Sequence, residues 1–85
     1  MGNHEAALAT LRRSLEIAPK NMMALLNLGV MLLKRDIDIE IDESIRVLER
    51  ALEVDAVGSN IFPPGVFYGR ISEALVDAIE RKAAK

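Results

Sequence analysis

Cysteine is absent from the chain, which removes disulfides, thiolate metal sites and thiol catalysis together and leaves the redox compartment open. Tryptophan is absent too, and only Phe62, Phe67 and Tyr68 are aromatic. The core therefore has to be assembled from Leu, Ile, Val, Ala and Met, a mix that favours helices. The longest nearly uncharged run, Asn21 to Leu33, is too short to cross a bilayer, and no basic start leads into an apolar stretch with a cleavage site. A soluble chain is expected, with the cytoplasm as the default location. An excess of positive charge is missing as well, since the net charge is −2. From Asp36 to Asp55 eight acidic residues stand against two basic ones. Nucleic-acid binding needs a clustered basic surface, so no nucleic-acid partner is expected. The single histidine, His4, stands beside Glu5 but has no second histidine, nucleophile or glycine-rich phosphate loop to work with. No enzyme, cofactor or metal is expected from such a set.

What is present is helical periodicity in one domain, residues 1–85, short enough to bury only roughly 60–65% of its unfolded surface. Ala7, Leu8, Leu11, Ser14, Leu15 and Ala18 form one stripe, which predicts an amphipathic helix from about Asn3 to Ala18 that Pro19 ends. Asn21 is placed to cap a second helix, Met22 to about Arg35. This helix is apolar on two sides: Leu25, Leu28, Gly29 and Leu32 form one stripe, and Met23, Leu26, Val30 and Leu33 another. Such a helix expects neighbours on both sides. Gly29 in its interior costs roughly 1 kcal/mol against alanine, so close helix packing is expected there. A third helix is predicted to start between Glu40 and Glu43 and run to about Val54, with Val57 to Asn60 as a turn. Pro63-Pro64-Gly65 is expected to open a fourth helix with the stripe Phe67, Ile71, Ala74, Leu75, Ala78 and Ile79.

Part of the chain repeats. Leu11-Arg12-Arg13-Ser14-Leu15-Glu16-Ile17 overlays Leu48-Glu49-Arg50-Ala51-Leu52-Glu53-Val54 at a constant offset of 37 residues, with Leu11, Arg13, Leu15 and Glu16 matched identically. Leu25-x2-Leu28-Gly29-x2-Leu32 followed by Ser44-x3-Leu48 resembles the tetratricopeptide repeat, as does the spacing of Ala7, Leu11 and Pro19. Leu25 stands where that family favours Trp, Leu32 where it favours Tyr, Leu48 where it favours Phe and Ala56 where it favours Pro. The resemblance covers residues 2–56, followed by a turn at 57–62 and a C-terminal capping or exchanged helix at 63–85. It implies an all-α antiparallel helical hairpin array of about four helices, one and a half repeats long plus that last helix. The offset exceeds the usual repeat of about 34 residues. The surplus is expected in the turn around Asp36 to Asp42.

The resemblance further implies a protein–protein interaction module that holds a peptide or helix in an apolar groove. Its groove positions fall on Met23, Leu26, Asn27, Val30, Leu33 and Lys34. Family members that bind a terminal carboxylate fill such positions with Lys, Arg and Asn, of which only Asn27 matches, and Lys34 alone at the end of an apolar groove is a poor anion site. The alternative is self-assembly with no foreign ligand, in which Phe67, Ile71, Leu75 and Ile79 reach a second copy and form a homodimer. Either the fourth helix folds back into the groove or it reaches into a second copy, and the exchange is the expected way to cover the apolar stripes. The segment Asp36-Ile37-Asp38-Ile39-Glu40-Ile41-Asp42-Glu43 resembles the start of a calcium loop but lacks its glycine and its closing Glu. Its carboxylates are expected to cap and favour the third helix, and its isoleucines to pack under the turn or pair as a short edge strand.

Overall fold

The computed structural model describes residues 3–84. Met1, Gly2 and Lys85 lie outside the described residues, and with Gly2 the expected first position of the repeat region. The described chain is all-α with four helices and no strand: α1 Asn3–Ile17, α2 Met22–Arg35, α3 Asp38–Val57 and α4 Tyr68–Ala84. No helix among these residues is long and apolar enough to cross a membrane.

Local chemistry sets the first three boundaries. Before Pro19, the Ala18 amide still donates to Ser14 (2.8 Å), and the next amide to bond is that of Asn21, to Ala18 (3.0 Å). Asn21 then caps α2, its side-chain oxygen accepting from the Ala24 amide at 3.2 Å. At the other end Asp36 takes a left-handed conformation (φ 55°), which a short polar side chain tolerates, and its amide closes on Leu33.

The link from α2 to α3 is only Asp36 and Ile37, shorter than the sequence suggested. Residues 38–42, expected in the turn, are instead wound into α3, which begins at Asp38 and is 20 residues long. Ile37, Ile39 and Ile41 therefore do not form a strand. Ile41 is buried, whereas Ile37 and Ile39 face outward. The capping expectation also changes, because Ile37 occupies the cap position and supplies no side-chain hydrogen bond. Asp38 and Glu40 stand as first-turn carboxylates at the positive end of the helix dipole.

α2 has helical neighbours on two sides, although Met23 and Val30 of its second stripe stay partly open. On one side Leu28 and Leu32 meet Leu8 of α1, with Leu11 and Leu15 partly buried against them. On the other, Leu25, Leu26 and Leu33 join Leu48 and Ala51 of α3 and Ile71 and Ala78 of α4. α2 and α3 come close together at Gly29. A Cβ there would lie 2.6 Å from Leu48 Cδ2, and the buried Ser44 hydroxyl donates to the Gly29 carbonyl at 2.7 Å. Leu48 is fully buried but Leu11, which it matches at the 37-residue offset, only half, since α1 packs chiefly on α2 among the described residues.

Residues 58–67 form an irregular loop that returns the chain to α3, and α4 begins at Tyr68, so Pro63 and Pro64 precede the helix instead of opening it. Gly65 has φ 86°, outside helical angles. The loop is held to α3 through buried Asp55: its carboxylate accepts from the Phe67 amide (2.9 Å) and its carbonyl from the Gly65 amide (3.0 Å). Phe62 and Phe67 pack edge to face at 4.8 Å. From there α4 packs chiefly on α3 and reaches α2.

Candidate binding groove

With Leu25, Leu28 and Leu32 committed to the core, α2 has one strip left, and positions 23, 27, 30 and 34 recur along it at helical spacing. Met23, Leu26, Asn27, Val30 and Lys34 line one open concavity of about 650 Å³. Ala7, Thr10 and Leu11 of α1 form one wall and Arg70 of α4 stands at its edge. Met23 is 42% exposed and Val30 half-buried, while Leu26 at 6% forms the floor. The size is that of an ordinary ligand cleft.

Leu33 is the sequence-predicted groove residue that the fold places elsewhere. It is packed into the core between α2 and α4 and borders a neighbouring concavity, which Val30, Lys34 and Arg70 share. The stripe expected to reach a second copy is largely covered within the single chain. Phe67 and Ile71 are 7% and 0% exposed within a single chain, and Leu75 packs partly buried against the same cluster. Of that set Ile79 alone is substantially exposed, at 49%, and it belongs to the outer side of α4.

The acidic segment is engaged by the other three helices. Arg12 of α1 donates through Nε (3.3 Å) and Nη2 (2.9 Å) to the two carboxylate oxygens of Glu43. Arg35 of α2 pairs with Glu40 (3.2 Å) and also with Glu5 of α1. From α4, Lys82 reaches Asp42 (2.6 Å) and Arg81 reaches Asp36 (3.7 Å). Two effects on ionisation follow: the hydrogen bond from Arg35 holds the Glu5 carboxyl below its usual range, and the bond to Glu43 raises Arg12 further. His4 is half-buried, and its Nε2 has no hydrogen-bond partner among the described residues. Glu5 is bound to Arg35 and does not serve as an orienting group for His4.

Two residues escaped sequence reasoning. Asp55 looked like one more acid in an acidic run, and only the return of the 58–67 loop gives it buried donors. Arg70 carries no local signal at all, because its place beside Lys34 depends on how α4 docks. A second open concavity of about 640 Å³ lies between the α1–α2 turn and the 58–67 loop, lined by Pro19, Met22, Val54, Ile61 and Phe62 among others. Comparison with protein-family models, with curated proteins and with solved structures gave no match.

Proposed function

We propose that the chain is a protein–protein interaction module of the tetratricopeptide kind, holding a peptide or helix against the outer strip of α2. The observation that carries this reading is the convergence of Met23, Leu26, Asn27, Val30 and Lys34 on one open concavity, walled by α1 and bordered by Arg70. The close seating of Gly29 on Leu48, with Ser44 bonded to Gly29, supports the hairpin-array resemblance, because a small residue on each helix is what permits the approach. An apolar floor with a few convergent polar groups suits a helix presenting residues three and four positions apart. Self-assembly through the neighbouring face is the second reading, favoured by half-exposed Val76 and Ile79 on α4.

Selection of a random peptide library on the folded chain, with Met23→Glu as the counter-target, tests the first reading. Met23 is exposed enough for the variant to fold, which circular dichroism checks. Peptides that enrich on the native chain and lose about tenfold in affinity, about 1.4 kcal/mol, on Met23→Glu support the groove. A library that yields no such binders counts against it.

A further inference from the structure

We infer that the groove takes an amphipathic helical segment of another protein whose apolar row ends in acidic side chains; this rests on the groove reading above. The charged residues lining the concavity on α2 are Lys34 and Arg70, and no acid lines it among the described residues. Neither cation has an ion-pair partner among the described residues, whereas Arg12, Arg35, Arg81 and Lys82 are all paired. Two unmatched positive charges at the edge of an apolar floor form a potential that a carboxylate completes, and both cations are exposed, so meeting it costs little desolvation.

The geometry also sets where the acid stops. Lys34 and Arg70 border the adjoining concavity too, and there the α4 wall carries Glu73, Asp77 and Glu80 against one cation, Arg81, which is already paired with Asp77 and Asp36. An acidic segment continuing along α4 would meet that like-charged wall. Its apolar row therefore lies over Met23, Leu26 and Val30, and its carboxylates end at the boundary formed by Lys34 and Arg70.

The test uses two short synthetic helical peptides with leucines three and four positions apart, one ending in Glu-Glu and the other in Lys-Lys. Both are amidated so that no terminal carboxylate contributes. The Glu-ended peptide is expected to bind the full chain about tenfold tighter at low salt, with the difference largely lost in about 1 M salt, where the Debye length is about 3 Å. In the Lys34→Glu/Arg70→Glu variant, which reverses two exposed charges and whose fold circular dichroism verifies, the preference is expected to invert. Equal binding of the two peptides, or a preference unchanged in the variant, overturns this inference and leaves the groove reading standing. Failure of both peptides to bind overturns the groove reading itself.

Discussion

Gly29 shows how one missing side chain fixes the contact between two helices. Replacing it by alanine gains roughly 1 kcal/mol of helix propensity, yet the added Cβ would come within 2.6 Å of Leu48 Cδ2 and 2.7 Å of its Cγ. Leu48 is fully buried, so its side chain can give way only by displacing its own neighbours in the core. The clash therefore outweighs the propensity gain, and Gly29→Ala is expected to lose about 1–3 kcal/mol in urea denaturation. Leu48→Ala alone is expected to lose about 2–5 kcal/mol through the cavity it leaves. Because the new methyl would occupy part of that cavity, the double variant should be less destabilised than the sum, and strict additivity would show that the two side chains do not share this space. The role of Gly29 was legible in the sequence because an unfavourable residue inside a strongly periodic helix needs a local reason. Arg70 and Asp55 were not, since their partners are brought to them by folding and leave no trace in neighbouring residues.

At the scale of elements, the boundaries of α1 and α2 were readable because Pro19 and Asn21 act on the amides next to them. The start of α3 was not readable. Alternating Asp and Ile have modest helix propensity, and the charge pattern suggested a turn. What favours the helix is non-local: Glu40, Asp42 and Glu43 each meet a cation from a different helix. Each such surface pair contributes at most about 1 kcal/mol, so single removals such as Lys82→Ala should shift stability only slightly. Their joint loss is what matters. Glu5 has a folded-state pKa below its usual 4.5 because of Arg35, so its stabilising contribution is complete above the unfolded value and disappears as pH falls through the folded one. Thermal melts are expected to be flat from pH 7 to about 5 and to drop below about 4.5, and a melting temperature that rises on acidification would contradict this pairing. Millimolar calcium is expected to leave the melting temperature unchanged, because Asp36, Glu40, Asp42 and Glu43 already have cationic partners in the folded chain.

For the whole molecule, the decisive question is what covers the apolar stripe of α4. The sequence could specify that stripe but not its partner, because a helix docked within one chain and a helix exchanged between two chains obey the same periodicity. In the folded chain Phe67, Ile71 and Ala78 are already buried against α2 and α3, so closing the core needs no second copy. Exchange of α4 would require the 58–67 loop to straighten. That loop is held by the Asp55 bonds to Phe67 and Gly65 and by Ser59, which bonds Phe62 through both its amide (2.8 Å) and its hydroxyl (3.0 Å). Gly58 adds a steric condition: with φ 76°, it is in a region that favours glycine, and a Cβ there would lie 2.6 Å from Pro64 Cδ. Straightening gives up several hydrogen bonds, each contributing about 0.5–1.5 kcal/mol, while the helix contacts themselves are the same in both arrangements. The native chain is therefore expected to keep a mass near 9.4 kDa in light scattering after size-exclusion chromatography over a wide concentration range. Asp55→Ala combined with Gly58→Ala removes the restraint on the loop and should raise the dimer fraction with concentration. A native chain that already doubles its mass, and that Ile79→Glu returns to monomer, would instead locate self-association on the outer side of α4.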